Sequence, residues 1–476
     1  MLPDDVLLII FDFYVDEARM ERWKMKWKTL VHVCRRWRTL VFQSPHHLHL
    51  RLYFTTARHT LEDLNVWPPL PLFIRDTYLC GMSGVNNIIG ALEHNARVCK
   101  LILDCLTSSQ IACVTSSAAM QKPFPELAHL HIYVPQGKGP ILPVPDSFLG
   151  RTAPRLRKLI LNGLPCPGLP TLLSSSTHLV KLDLYNIPHS GYLPPEAMAT
   201  SLSAFTSLEH LRLHFLYAPP QPGTESRSLP PHQLTCSILP SFTRIIFKGS
   251  SKYLEEIIAR IVAPRLTDLH ITFFDHDIFD APQLFQFISR RPTLRTSEKG
   301  YIAFSSRSIR VIFPSQASDH GLLSVEVGGS EVQTCSRDER RHSDAVHGIS
   351  MLEDLYIFVD DEEYPSQIEN TILPDLLRSF LSVENLYLSE GFVPRIAPAL
   401  QAHVGGRTTE VFSTLENIFL EGFQPPGPLH ECIENFVAAR RLTNHPVAVS
   451  RWEMDPRKED PRKEEIFSFY WDFYDL

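Results

Sequence analysis

From Val98 onward the chain returns to one pattern of apolar and polar positions: apolar, two residues, apolar, one residue, apolar. It occurs at Val98, Leu101 and Leu103, at Leu127, Leu130 and Ile132, at Leu156, Leu159 and Leu161, and at Leu179, Leu182 and Leu184. It continues at Leu208, Leu211 and Leu213, at Phe242, Ile245 and Phe247, and at Leu266, Leu269 and Ile271. After a gap it resumes at Leu352, Leu355 and Ile357, at Val383, Leu386 and Leu388, and at Leu415, Ile418 and Leu420. The last two apolar positions of each phrase are two apart, so they point the same way from a short strand, and the first plugs the same core from the preceding turn. Between phrases, residues 253–261 have helical spacing. Pro125, Pro154 and Pro264 each stand just ahead of a strand, where proline stops a helix without breaking a ladder.

The first five steps between phrases are 29, 29, 23, 29 and 34 residues. Irregular steps in the high twenties are typical of divergent leucine-rich repeats. No such unit can bury its apolar face alone, so neighbours stack into a solenoid. The expected fold is therefore α/β: N-terminal helices, then an irregular solenoid with parallel strands on its concave side and helices or irregular segments on its convex side. A linker or first capping segment is expected over 53–97 and the solenoid over 98–450, with loops near 216–235 and 328–348. Strands are also expected at 309–313 and 323–327. A charged linker and an aromatic segment that folds back over the open end of the solenoid are expected over 451–476.

The N-terminus has a different period. Val6 and Ile10, like Leu7 and Phe11, are four apart on a helix that Pro3 can start and that Asp4 and Asp5 suit electrostatically. Leu30, Val33, Cys34, Trp37, Leu40 and Val41 recur at three- and four-residue steps and predict a second helix, ended by Ser44-Pro45. These residues resemble the F-box, a module whose pattern begins Leu-Pro and later reads Val-Cys-Arg-x-Trp-Arg; the match covers residues 1–52, with an inserted charged loop over 15–27. The whole chain resembles the expanded F-box families of mushroom-forming fungi. The resemblance implies docking to a Skp-type adaptor and, through it, to a cullin–RING ubiquitin ligase. Leu2, Pro3, Val6, Leu7, Ile10 and Phe11 would then supply adaptor contacts, with Leu30, Val33, Cys34, Trp37 and Leu40 packing the module and completing its surface.

Partner recognition in such a protein would sit on the alternating strand residues. The middle strands offer a basic, histidine-bearing strip of Lys158, Lys181, Tyr185, His210, Arg212, His214, Arg244, Lys248 and His270, with His129 and His131 ahead of it. Later strands are more acidic and aromatic, with Tyr356 and Tyr387 as candidates. The expected ligand is a protein substrate. A net charge of −7 argues against nucleic acid as the main partner. No apolar run approaches the roughly 18 residues that span a bilayer. Acids stand where a signal peptide would carry cations, no Asn-x-Ser/Thr acceptor occurs, and the nine cysteines show no paired spacing. A reducing, cytoplasmic or nuclear location is expected.

Signals for chemistry are weak. His210 and His214 would stand about 13 Å apart along a strand, too far for one ion. His46, His47 and His49 lack a cysteine or carboxylate partner at metal spacing, and no phosphate loop, dinucleotide fingerprint or nucleophile elbow occurs. Cys34 is expected as a packed residue inside a helix, not a nucleophile. Neither enzymatic activity nor a cofactor or metal is expected. The alternative reading is a leucine-rich-repeat scaffold whose N-terminal helices merely cap it, with no ligase association.

Overall fold

The computed structural model describes residues 2–16, 27–45, 47–56, 64, 66–76, 81–135, 143–217, 236–274, 282–290, 299–304, 308–314, 322–328, 352–359, 377, 380, 382–393, 396, 412–422, 431–442 and 444–452. Most of the charged insertion, the proline-rich loop, the polar stretch before residue 352 and the aromatic C-terminal segment lie outside the described residues. The chain is mixed α/β and divides into two compact units, Met1–Leu266 and Thr267–Leu476.

The first unit opens with α1 (Asp4–Asp16), α2 (Trp27–Val33) and α3 (Arg35–Gln43). The single helix expected across residues 30–41 is broken at Cys34. Its backbone is extended, with φ −160° and ψ 169°, and its Sγ accepts the Trp37 amide N–H at 3.5 Å. Cys34 is thus an exposed helix cap rather than a packed interior residue. A one-residue break hardly disturbs a 3.6-residue period, which is why the apolar spacing runs through it.

Side-chain contacts hold these helices to one another and to the start of the sheet. Phe11 packs on Trp37 with ring centroids 4.7 Å apart. Arg36 donates to the Asp4 carboxylate and to the Leu2 carbonyl, which ties the start of α3 to the start of α1. Buried Trp27 donates its indole N–H to the Arg51 carbonyl at 3.0 Å and meets Trp67 edge-on at 5.2 Å.

The chain then enters a sheet through β1 (Leu52–Thr55) and β2 (Leu72–Arg75), followed by α4 (Met82–Leu92) and β3 (Val98–Leu103). It continues with α5 (Ser108–Ser116), β4 (His129–Tyr133), β5 (Lys158–Asn162), α6 (Leu169–Ser175), β6 (Lys181–Ile187) and α7 (Pro195–Ser203). The unit ends with β7 (His210–Phe215), β8 (Ser237–Ile238), β9 (Arg244–Gly249), α8 (Ser251–Ile258) and β10 (Ile261–Val262). Strands β1 to β7 and then β9 pair side by side, all parallel, while β8 and β10 form a small separate pair.

The expected linker at 53–97 is therefore already sheet. Leu48, Leu50, Leu52 and Phe54 alternate, as do Leu70, Leu72 and Ile74, and all are buried, so period-two patterning carries these strands without the longer phrase. Elsewhere the phrase predicts the core well: Leu101, Leu130, Leu159 and Leu182 are fully buried, and their partners two residues on are buried too. Proline also has a repeated job. The turns before β4, β5 and β9, and the turn at residues 263–266, carry Pro125, Pro154, Pro240 and Pro264 in second position. They are closed by Leu127 N–H to Phe124 O, Leu156 to Ala153, Phe242 to Leu239 and Leu266 to Ala263. Proline's fixed φ suits that position of a β-turn.

The second unit comprises β11 (Asp268–Phe273), α9 (Pro282–Ser289), β12 (Lys299–Phe304), β13 (Ser308–Pro314) and β14 (Leu322–Gly328). After these come β15 (Asp354–Val359), β16 (Asn385–Leu388), β17 (Asn417–Glu421), α10 (Glu431–Leu442) and β18 (Ala448–Trp452). Their order is β11-β14-β13-β12-β15-β16-β17-β18. The strands expected at 309–313 and 323–327 are β13 and β14. They do not extend the parallel series, because β13 runs antiparallel to both neighbours. Only three residues separate β12 from β13, enough for a hairpin and too few for a parallel crossover. Parallel pairing resumes from β12 to β15 and onward.

Candidate binding surfaces

The first surface is one side of α1. Leu7 and Phe11, expected to face a partner, are instead core residues at 5% and 0% exposure. The outer side carries Leu2, Val6, Ile9, Ile10 and Phe13, exposed by 52%, 38%, 67%, 45% and 72%. Positions 2, 6, 9 and 13 form one stripe at helical spacing. Pro3 is exposed beside them. Val33, expected to pack the module, is 55% exposed, and it and Cys34 immediately precede the turn that Arg36 ties to Leu2. Leu30 and Leu40 are buried and Trp37 is half-buried, as packing residues should be. Ile9 and Phe13 escape a sequence reading because α1 is apolar nearly all round, and only the seating of α2 and α3 decides which side is covered.

The second surface is the open face of the first unit's sheet. Parallel register sets Lys100, His129, Lys158, Lys181, His210 and Arg244 directly beside one another on six neighbouring strands. Lys100 was not singled out from the sequence, although it precedes Leu101 as Lys158 precedes Leu159. Next to this row run Ile102, His131, Ile160, Asp183, Arg212 and Ile246. Asp183 lies 3.5 Å from the Lys181 ammonium and 3.7 Å from the Arg212 guanidinium. Arg212, expected to be available to a partner, is buried and held in this cluster. Tyr185 and His214 stack at 4.2 Å, and His214 is paired in register with Lys248.

His129, His131 and His214 do not carry the charge of this face. Burial, reinforced by Lys100, His131, Lys158 and Lys181, holds His129 down at about 3. Burial likewise brings His131 to about 4, with Asp104 opposing it and Arg75, Lys181 and Lys100 assisting. His214 falls to about 3 through burial beside Lys248 and Arg212. At neutral pH these rings are uncharged, and the positive field comes from lysine and arginine.

The third surface belongs to the second unit. Tyr301, Tyr356, Tyr387 and Phe419 share one register row and stack at 4.8, 4.1 and 4.5 Å with nearly parallel rings. Trp452 meets Tyr356 and Tyr387 edge-on. Beside them Asn417 donates to Asn385 at 2.9 Å and Asn385 donates to Asp354 at 2.8 Å. His270, grouped with the basic strip by sequence, lies on β11 in this unit, opposite Ser324.

No protein-family model matches the chain, and no curated protein matches it.

Among the described residues, two places bring together groups with chemical potential. Asp76, Asp104 and Cys105 hold donor atoms within 4.8 Å of one another. The Asp76 carboxylate is already engaged, accepting the backbone N–H groups of Asp104, Cys105 and Leu106 at 2.9, 2.7 and 2.9 Å. Burial and the Asp104 contact push the Cys105 thiol up to about 12, which disfavours the thiolate a metal needs. The cluster therefore reads as a loop clamp. A pocket lined by Leu161, Leu184, Met198 and Phe215 includes Cys166, whose thiol burial likewise pushes up to about 12, an inert nucleophile. Among the described residues no helix is long and apolar enough to cross a membrane.

Proposed function

We propose that this protein is a non-catalytic substrate receptor of an SCF-type ubiquitin ligase. An F-box-like group of helices at residues 1–52 docks a Skp-type adaptor, and a leucine-rich-repeat solenoid holds a protein substrate. The observation that carries the reading is the apolar stripe of α1, open at Leu2, Val6, Ile9, Ile10 and Phe13, on a helix whose sequence begins with the Leu-Pro of the F-box pattern. Covering each such side chain contributes roughly 1.5–3 kcal/mol, so a stripe of this size favours a protein partner over water. The parallel strands with one buried and one open face support the substrate side of the proposal. Ubiquitin transfer itself falls to the ligase's other subunits.

The test must use exposed positions, since Leu7→Asp would damage the fold rather than the interface. Ile10→Asp and Phe13→Asp should each reduce capture of a Skp-type adaptor by about tenfold or more, with unchanged circular dichroism. Capture at wild-type levels by both variants would sink the docking reading.

One observation favours a second reading, a repeat scaffold capped by its helices without a ligase. Trp27 joins α2 to Arg51 and Trp67, so the helices also cover the start of the sheet. Deleting residues 1–50 discriminates: a pure cap leaves an aggregating remainder, whereas a docking module leaves a dispersed protein that no longer captures adaptor.

A further inference from the structure

Two register rows of the second unit run across its open face and stop at the same strand. In one, Asn417 donates to Asn385 and Asn385 to the Asp354 carboxylate, at 2.9 and 2.8 Å. Because this row starts on a carboxylate acceptor, each amide turns its N–H toward Asp354 and its carbonyl the other way. The last carbonyl, Asn417 Oδ1, therefore faces the β18 side, and no donor meets it among the described residues. In the other row, Tyr301, Tyr356, Tyr387 and Phe419 stack ring on ring, the last step being 4.5 Å with planes 9° apart. Tyr387 covers one face of Phe419, and among the described residues no ring covers the other. The register partners that continue the two rows on β18 are Ala448 and Ser450, whose side chains are too short to do either job. Trp452, two residues on, turns back to meet Tyr387 and Tyr356 edge-on at 5.7 and 5.9 Å, so its indole lies beside the column rather than beyond its end. Inside each row neighbours satisfy one another; the two last members, Asn417 and Phe419, project from the same side of β17 with one neighbour each.

We propose that this step at β18 receives an arginine side chain presented by a partner protein. The two row ends call for one group that is planar on its face and donates at its edge, and a guanidinium is both. Stacked on the outer face of Phe419 it takes the next place in the column, about 4.8 Å on, above Ser450. Asn417 and Phe419 lie about 6.7 Å apart along the strand. An offset-stacked guanidinium spans that distance, its N–H···O bond to Asn417 alone supplying about 2.9 Å. Charge favours the same occupant. Glu384 and Glu416 stand exposed in the turns leading into β16 and β17, and Glu421 ends β17, accepting the Glu390 N–H at 3.3 Å. Among the described residues no ion pair engages these three carboxylates. Arg451 alternates to the other side of β18, and Lys299 stands at the opposite end of the amide row, in register with Asp354. A lysine would bring the charge without the plane, and an aromatic ring the plane without the donors. The proposal gives the substrate side of the receptor reading a chemistry and rests on that reading for the bearer of the arginine. Its test needs no adaptor, so the two fail separately.

The experiment titrates the full chain with N-acetylarginine amide, followed by saturation-transfer NMR, beside the corresponding amides of citrulline, lysine and phenylalanine. Citrulline keeps the plane and loses the charge, and phenylalanine stands for a ring as the occupant. Saturable binding of the arginine amide is expected with a dissociation constant of about 1 mM, the others binding at least about fivefold more weakly. Ser450→Tyr carries the column onto β18 and should abolish binding while leaving the unfolding midpoint unchanged or higher. Phe419→Leu should weaken binding about fivefold and Glu416→Gln about twofold. Glu93→Gln, at an exposed carboxylate of the first unit, should leave it unaltered. Glu416→Gln changes no packing, so it still reports if a ring variant misfolds. Absence of saturable binding, binding of any other amide as tightly as the arginine amide, or unaltered affinity in both Ser450→Tyr and Glu416→Gln would each overturn the proposal.

Discussion

The two units use the same parallel register to opposite ends. In the first, register stacks lysine beside lysine, with His129 kept neutral between Lys100 and Lys158. In the second, it stacks tyrosine on tyrosine and passes hydrogen bonds from Asn417 to Asn385 to Asp354. The backbone places a column of like residues in both cases, and the side chain decides whether the column attracts or repels itself. A column of rings and amides satisfies its own needs, so its presence is explained by stability. Two cations set side by side, as Lys158 and Lys181 are, repel each other instead.

Four measurements would break or sharpen this contrast. The largest effect should follow Asp183→Ala, which strips the carboxylate from between Lys181 and Arg212; chemical denaturation should show a loss of about 3 kcal/mol in the first unit. If the cations repel as described, no other site on that face should cost as much. Next, Tyr387→Ala interrupts the ring column between Tyr356 and Phe419 and should cost the second unit about 2 kcal/mol, with a loss of near-ultraviolet dichroism. An unchanged midpoint would mean that the column is incidental.

Acid should separate the units more gently. His129 and His131 bind protons at about 3 and 4 when folded, below the ordinary value near 6.5 that applies once unfolded. The unfolded chain therefore holds more protons between these values. Stability is complete above about pH 6.5 and declines as pH falls toward 4, by roughly 1–2 kcal/mol per histidine at pH 5. Hydrogen exchange should show the first unit opening at pH 5, and His129→Gln/His131→Asn should flatten that response. The smallest effect is a gain: Lys158→Thr removes one of two like charges paired in register and should stabilise the protein by about 0.5 kcal/mol in chemical denaturation. A loss of stability there would contradict the idea that Lys158 and Lys181 repel each other.

The sequence announces the core of each strand, because two leucines separated by one residue leave few alternatives to a half-buried strand. It announces the open-face residues too, but not their neighbours. That Lys158 meets Lys181 rather than Asp183 is a matter of register, which depends on turn lengths. The strands at Leu52–Thr55 and Leu72–Arg75 were legible in the alternation of Leu48 to Phe54 and of Leu70 to Ile74, though prolines obscure the longer phrase. The break at Cys34 was not, since cysteine is an uncommon cap and its flanks keep helical spacing. On α1 the apolar residues were evident and their sides were not, because the division between Leu7 with Phe11 and Ile9 with Phe13 is imposed from outside the helix.

The joint at Trp27 has an optical consequence. Its indole lies edge-on to that of Trp67, and two coupled transition dipoles at 5.2 Å produce a paired signal that neither ring gives alone. Because one ring belongs to the helices and the other to the chain entering the sheet, that signal exists only while the two are seated together. The protein thus contains its own gauge of the seam: light absorbed there reports whether the N-terminal helices have lifted away, at a moment when the strands behind them are still intact.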